Sequence, residues 1–338
     1  YEGMLVSIPE TITVGQNFFL GRFGQITVSA EGRVYNPTNR NLPGSLAAIA
    51  EANLNARRMF VLDDGRSSQN PNPIPYIGLD NTNRGGDTIA GLTGILSQGP
   101  INTGVIPTGY IFQPTVAPVF TRAHPRTAAP SAVGGNAKVA SFNVLNYFNG
   151  DGAGGGFPTS RGATTLLEFN RQRTKIIKAL VAIDADVVGL MEIENDGDGA
   201  TGALQDLVNG LNTEMGAGTY ALVPSPAPGT DVIRVAMIYK PGRVTRVGAA
   251  VNYQVTTNPT YNPVFDRPPF AQTFSLNSNS EKFSVVVNHF KSKGSCPASG
   301  VDTDQGDGQG CWNAKRTVQA QNLLTFINNI KASDADDD

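Results

Sequence analysis

The pattern of apolar residues changes part-way along this chain of 338 residues, and that change limits the folds it can adopt. Up to residue 115, short apolar runs are separated by Gly, Pro and Asn turns, which predicts short β-strands and one helix near residues 45–60. Further on, apolar runs of strand length alternate with stretches of helical periodicity. The first 137 residues also contain no lysine. We therefore predict an α/β protein with a β-rich region over residues 1–115, a Pro/Ala/Gly-rich linker over 116–136 and an α/β domain over 137–338.

The composition excludes several classes of protein. Charged residues make up only 16% of the chain, and 38 Gly and 22 Pro favour turn-rich strands over a helical bundle. The net charge of −2 provides no overall basic surface, so a phosphodiester substrate would need a local cationic groove or bound metal ions. No apolar run approaches the roughly 20 residues that span a bilayer. We predict neither a membrane partner nor an obligate protein partner.

Two cysteines, Cys296 and Cys311, flank a loop rich in Gly and Asp. This arrangement is typical of a short disulfide in an oxidising compartment, and closing the loop would contribute about 3 kcal/mol. The alternative is a pair of free thiols in a cytosolic enzyme. We favour the disulfide, and with it a secreted protein. The chain opens on Tyr1 and shows no signal peptide, so we expect the native N-terminus to be missing.

Polar residues follow apolar runs at three places in the predicted α/β domain. Asn143 follows "VASF", Glu192 follows "VVGLM" and His289 follows "VVVN". Ligands collect at strand ends in layered α/β folds, and a carboxylate buried there needs a cation or hydrogen-bond donors. The alternatives are a surface glutamate and an asparagine that starts a turn. The other histidine, His124, precedes Pro125 in the predicted linker, and we expect it to be an exposed loop residue.

Five segments carry a resemblance to a known family. They are "ASFNVLNYF", "RQRTKIIKALVAIDADVVGLMEIEND", "DVIRVAMIYKP", "FDRPPFAQTF" and "VVVNHFKSK". In this order they resemble motifs of the endonuclease/exonuclease/phosphatase superfamily, whose fold is that of deoxyribonuclease I. The nearest likeness is to secreted bacterial extracellular nucleases with an N-terminal OB-like module, which the β-rich region resembles. The resemblance implies a four-layer α/β/β/α sandwich after that module.

The resemblance also implies roles for individual residues. Glu192 would be a direct ligand of a divalent metal with help from Asn143, Arg267 would contact the scissile phosphate, and His289 would bind a phosphate oxygen or assist proton transfer. Mg²⁺ suits such oxygen ligands best, with Mn²⁺ or Ca²⁺ as alternatives. Without the family pattern, Arg267 is equally well a loop arginine. Asp231 and Arg234 are weaker candidates.

The chain departs from the family near its end, because the Gly-Asp-Phe-Asn-like and Ser-Asp-His-like motifs are absent. We therefore expect an incomplete sandwich and a fragment, truncated at both ends, with little activity of its own. The predicted parent is a metal-dependent bacterial nuclease that hydrolyses extracellular DNA, with RNA as an alternative substrate. We expect it outside the cell, in the periplasm or at the cell surface. The alternatives are a phosphodiesterase for phospholipids or inositol phosphates and a non-catalytic secreted binding protein on the same scaffold.

Overall fold

The structure, a computed structural model, describes residues 1–101, 108–123, 125, 127–253 and 267–333. Contacts between residues divide the chain into two compact units. The first comprises Tyr1–Ala128 with Gln305–Gln309, and the second comprises Ala129–Asp304 with Gly310–Asp338. Both units mix strands and helices, and strands predominate in the first. No helix in the described part of the chain is long and apolar enough to cross a membrane.

The first unit is built mainly of strands. Its elements are β1 (Leu5–Gln16), α1 (Leu20–Phe23), β2 (Ile26–Ala30), a 3-10 turn (Pro37–Asn39), α2 (Leu46–Arg58), β3 (Met59–Leu62), β4 (Thr88–Pro100), β5 (Thr108–Pro114) and β6 (Phe120–Thr121). The strand order is β1-β2-β3-β5-β4-β6, and β1 also pairs with β4, so the first five strands close on themselves. The β3–β5 pair is parallel and the other pairs are antiparallel. The closed ring of strands surrounds a core that includes Ile12, Val28, Leu62, Ile89 and Phe112.

The segment predicted as a linker contains part of this unit. Strand β6 pairs with β4, and Arg122 binds the fully buried carboxylate of Asp87 at 2.6 Å. The contact boundary between the two units falls after Ala128, inside the predicted range 116–136. Composition could not indicate these contacts, because pairing with a distant strand leaves no periodicity in so short a segment. His124 lies outside the described residues.

The second unit alternates strands and helices. Its elements are β7 (Val139–Tyr147), α3 (Leu166–Ile183), β8 (Val187–Glu194), α4 (Ala203–Met215), β9 (Ala221–Leu222), β10 (Ile233–Tyr239), β11 (Val244–Asn252), β12 (Phe270–Leu276), β13 (Lys282–Val287) and α5 (Asn313–Ser333). One sheet has the order β7-β8-β10-β9, with β7 and β8 parallel. The other sheet, β11-β12-β13, is antiparallel. Long apolar runs such as "VVGL" in β8 reflect strands that are covered on both faces.

Three apolar clusters hold the second unit together. Helices α3 and α4 pack on one face of the first sheet, where Leu180 and Leu207 meet Leu190. The opposite face packs on the second sheet, and the third cluster joins Ala271 of β12 to Phe326 of α5. A Cβ atom at Gly189 of β8 would lie 2.7 Å from a methyl group of Val287, a residue of β13. The two sheets therefore approach closely where β8 and β13 cross, next to the segment that carries His289.

Candidate active site

Glu192 occupies a β-bulge. On β10, Val235 pairs with Met191 and Arg234 pairs with Ile193, so Glu192 is the extra residue of β8. Its φ of +67° is a conformation that residues other than glycine seldom adopt. The sequence predicted Glu192 and Asn143 at the C-terminal ends of strands, and the structure places both before those ends, at points where the strand pairing is interrupted. Bulges of this kind re-aim side chains, and they are common beside active sites.

The neighbouring strand β7 is irregular at the same level. Asn143 pairs with Met191 and Tyr147 pairs with Ile193, so three residues of β7 lie opposite Glu192 alone. Two of those three, Leu145 and Asn146, also have positive φ angles, of 55° and 51°. Such conformations cost on the order of 1–3 kcal/mol each, so the surrounding structure has to compensate for them. Concentrated backbone strain of this kind indicates a functional site.

The irregular backbone surrounds the Glu192 carboxylate with donors. Asn143 donates from Nδ2 to Oε1 at 2.8 Å, and the backbone N–H of Asn146 donates to Oε2 at 3.1 Å. The Oδ1 atom of Asn143 accepts from the backbone N–H of Leu145 at 2.8 Å. Both polar groups of the Asn143 amide are therefore engaged, and the geometry gives this residue the role of orienting the carboxylate.

His289 faces the same carboxylate. It lies two residues beyond the end of β13, and its Nε2 is 3.8 Å from Oε1 of Glu192. The two side chains are 21% and 17% exposed, so both are reachable from solvent although largely shielded. Burial and the positive charge of Arg267 lower the pKa of His289, and the negative charges of Glu192 and Asp231 oppose this without reversing it. A neutral imidazole results near pH 7, with one nitrogen as donor and the other as acceptor.

Arg267 is buried behind His289. Its side chain is 9% exposed, and Nη1 lies 2.7 Å from Oδ2 of Asp231. Its Nη2 donates to the backbone carbonyls of His289 and Phe290, at 3.4 and 3.3 Å. The sequence predicted contact with the scissile phosphate, whereas the observed hydrogen bonds hold the segment that carries His289. The geometry therefore supports a positioning role for Arg267.

Arg161 is the more accessible cation of this group, and sequence reasoning missed it. Its side chain is 46% exposed, and Nη1 lies 3.2 Å from Oδ1 of Asp231. Asp231 thus joins an exposed and a buried arginine, and both contribute positive charge at His289. Arg161 comes from the loop before α3, where no periodicity or strand end singles it out. The sequence rated Asp231 as a weak candidate, and the structure places it at the centre of this network.

The acidic residues after Glu192 have structural partners. Arg234, which is 1% exposed, pairs with Asp198 at 2.7 Å and donates to the carbonyl of Gly197. Glu194 accepts from the backbone N–H of Asn149 at 3.3 Å, and burial together with its acidic neighbour raises its pKa to about 7. Arg234 is therefore a fully buried ion-pair residue that ties down the turn after β8.

The site has few carboxylates for a metal ion. In the described residues, no group of three or more His, Cys, Asp or Glu side chains is placed to hold one. Glu192 supplies one carboxylate, and Oδ1 of Asn146 is buried with no hydrogen-bond partner among the described residues. One carboxylate and a nearby amide oxygen fit Mg²⁺, which keeps several waters and binds substrate phosphates directly. Glu192 and Asn146 are therefore the residues that would hold such an ion.

No protein-family pattern matches the sequence, and no curated protein matches it. Among solved structures, the chain is similar to the human Nocturnin catalytic domain with bound sulfate, with 18% identity and a TM-score of 0.35, over 58% of this chain and 59% of that one. It is similar to an endonuclease/exonuclease/phosphatase family protein from Bacteroides thetaiotaomicron, with 16% identity and a TM-score of 0.29, over 44% and 49% of the two chains. It is also similar to ANGEL2, a 2',3'-cyclic phosphatase, with 16% identity and a TM-score of 0.27, over 36% and 31%. The chain thus spans less than two thirds of each of these proteins.

Proposed function

We propose that the protein belongs to the endonuclease/exonuclease/phosphatase superfamily and acts as a secreted, metal-dependent nuclease on extracellular DNA. The observation that carries the proposal is the group formed by Glu192, Asn143 and His289, which two adjacent strand irregularities bring together. Strained backbone, a carboxylate held by donors and a neutral imidazole suit phosphodiester hydrolysis better than a purely structural role.

The chemistry is divided among these residues. A divalent ion held by Glu192 and Asn146 would neutralise negative charge on the phosphate. Asn143 keeps the Glu192 carboxylate in place, and His289 donates a hydrogen bond to a phosphate oxygen or moves a proton at the leaving oxygen. Arg161 offers the guanidinium that is open to an incoming phosphate, while Arg267 fixes the segment carrying His289.

The architecture supports the same proposal. The three apolar clusters of the second unit lie between the helices α3 and α4 and the first sheet, between the two sheets, and between the second sheet and α5. This order of layers suits a four-layer α/β/β/α sandwich. The closed five-strand ring of the first unit suits an OB-like barrel. The disulfide between Cys296 and Cys311, which confirms the sequence prediction, supports secretion into an oxidising compartment.

The test is nicking of supercoiled plasmid by the complete gene product, with Mg²⁺ and with EDTA. We expect EDTA to stop cleavage, His289→Ala to lower the rate by about 10²–10⁴-fold, and Glu192→Gln to lower it by at least about 100-fold. Glu214→Gln, an exposed change on α4, is the matched control and should leave the rate unchanged.

Two results would refute the proposal. One is a Glu192→Gln variant that is as active as the wild type. The other is hydrolysis of phospholipid vesicles or of soluble inositol phosphates by a protein that leaves DNA and RNA intact, which would assign the site to a different substrate. Binding of Mn²⁺ to the 338-residue chain, followed by electron paramagnetic resonance, provides a readout that does not need turnover and should be lost in Glu192→Gln.

A further inference from the structure

The first unit contains a cavity of about 620 Å³ beside the end of β1, which the proposed function does not use. Volumes of about 300–1,000 Å³ are typical of sites for small molecules and cofactors. One wall follows β1 and begins at Asn17, and the facing wall is the loop before β4, at residues 77 and 81–85. Arg33, from the segment after β2, completes the lining. All of these residues belong to the first unit.

Hydrogen bonds hold the walls of the cavity in place. The Nδ2 atom of Asn17 donates to the backbone carbonyl of Asn83 and so joins the two walls. Asn83 is 5% exposed, and its own Nδ2 donates to the carbonyl of Tyr76 at 3.2 Å. The carboxylate of Asp80 fixes Thr82, because it accepts from the backbone N–H at 3.1 Å and from the hydroxyl at 2.6 Å. The cavity is therefore preformed, and a ligand need not order the loop when it binds.

Two arginines line the cavity, and neither guanidinium is engaged. Arg33 and Arg84 are exposed, and within the described part of the chain neither side chain has a hydrogen-bond or ion-pair partner. A Cβ atom at Gly85 would lie 3.6 Å from Cζ of Arg33, so this guanidinium lies against the backbone next to Arg84. The described residues that line the cavity include no Asp or Glu, and the nearby Asp87 is fully buried and binds Arg122. Such a lining suits an anion with several oxygens.

An exposed aromatic ring stands at the edge of the cavity. Phe18 is 77% exposed, and its neighbours in the chain, Asn17 and Leu20, both line the cavity. Its ring meets that of Phe19 at nearly a right angle, with centroids 5.0 Å apart, which orients the ring and leaves most of its surface open. Nucleobases stack on exposed rings of this kind, and side-chain amides such as that of Asn81 bind their polar edges. Cations, amides and an aromatic ring thus occur together at one cavity.

We propose that this cavity binds a nucleotide through its phosphate monoester, with the phosphate at Arg33 and Arg84 and the base beside Phe18. Two guanidiniums match the charge of about −1.5 to −2 that a phosphate monoester carries at pH 7, and their planar donors suit its oxygens. A free mononucleotide and the terminal nucleotide of a strand offer the same chemistry. Glu192 and His289 lie in the second unit, so the inference goes beyond the proposed function and does not rest on it.

The experiment is isothermal titration calorimetry of the 338-residue chain in EDTA with deoxyadenosine 5′-monophosphate. We expect this nucleotide to bind, and deoxyadenosine and inorganic phosphate to bind at least about tenfold more weakly, because each lacks one part of the ligand. Arg33→Ala and Arg84→Ala should each weaken binding of the nucleotide at least about tenfold. Phe18→Ala should weaken it about tenfold and leave binding of inorganic phosphate unchanged.

A 5′-phosphorylated oligonucleotide distinguishes the two sources of the ligand. If it binds more tightly than the mononucleotide and its unphosphorylated form does not, the site receives a strand end. If the mononucleotide binds more tightly, the site receives a free nucleotide. Either result supports the inference, provided that the binding depends on Arg33 and Arg84.

Controls separate this inference from the proposed function. Arg57→Ala changes an exposed arginine of α2 that does not line the cavity and should bind as the wild type does. Arg84→Lys, which keeps the charge without the planar fork, should also bind more weakly and provides a second test if an alanine variant melts early.

Three results would overturn the inference: equal binding of the nucleotide and deoxyadenosine, unchanged affinity in both arginine variants, or loss of binding in Arg161→Met. The last would place the nucleotide at the candidate active site of the second unit. Nucleotide binding that depends on Arg33 and Arg84 in a gene product that cleaves no nucleic acid would instead refute the proposed function alone.

Discussion

Replacing Arg267 by methionine tests whether this buried arginine holds the site together. Arg267 and Arg161 bind the two oxygens of one carboxylate, that of Asp231, at 2.7 and 3.2 Å. They differ in exposure, at 9% and 46% of the side chain. The pair of substitutions Arg267→Met and Arg161→Met therefore compares a buried and an exposed ion pair on a common acceptor.

The expected magnitude follows from those contacts. Removing one partner of a buried ion pair costs about 3–5 kcal/mol, but Asp231 keeps Arg161 and is 18% exposed, which reduces the penalty. The carbonyls of His289 and Phe290 also lose a donor, at about 1 kcal/mol each. We expect Arg267→Met to lower the free energy of unfolding of the second unit by about 2–4 kcal/mol. Arg161→Met should lower it by less than about 1 kcal/mol.

The assay is urea denaturation followed by the fluorescence of Trp312, which lies in the second unit and so reports its unfolding specifically. If the two variants have equal stabilities, or if Arg161→Met is the less stable of the two, burial does not decide the strength of these pairs and our account of Arg267 is wrong. The same two variants also distinguish the functional roles of the two arginines. Arg161→Met should raise KM for an oligonucleotide substrate, whereas Arg267→Met should lower kcat because His289 is displaced.

Three further changes probe the site and its supports. Asn143→Ala removes a donor to the Glu192 carboxylate and should lower activity and Mn²⁺ affinity about 10–100-fold, as measured by plasmid nicking and paramagnetic resonance. Unchanged values would mean that the amide does not orient the carboxylate. Cys296→Ser opens the disulfide loop and should cost about 3 kcal/mol in urea denaturation, an effect that reductant reproduces in the wild type. Gly189→Ala places a Cβ against Val287 and should cost about 1–3 kcal/mol by overpacking. An unchanged free energy of unfolding would show that the two sheets can separate without penalty.

Much of the secondary structure could be predicted from the sequence. The helix predicted near residues 45–60 is α2, Leu46–Arg58, and the strands and helices predicted to alternate after residue 137 are those of the second unit. These elements have strong local signals, because apolar residues recur at the period of the helix or strand they form. The disulfide was also predictable, since two cysteines flanking one short loop have no other partner in the chain.

The details of the site were less predictable. The sequence pointed to Asn143, Glu192 and His289, and the structure brings the three together. It did not reveal that bulges aim the first two, because a bulge depends on the register of neighbouring strands and leaves no periodicity behind. Asp231 was rated as a weak candidate and Arg161 was missed for a similar reason, since their importance comes from contacts with residues distant in the chain.

The sequence by itself determined the order of strands and helices, the disulfide and the residue types available for phosphodiester chemistry. Only the tertiary structure decided how those residues are used. Arg267 is turned inward to Asp231 and the carbonyl of His289, and Arg161 is the more exposed partner of the same carboxylate. Local patterns record which residues face a core, because burial follows the period of each element. The direction of an individual polar side chain depends on partners that folding brings from elsewhere in the chain, and no local pattern records them.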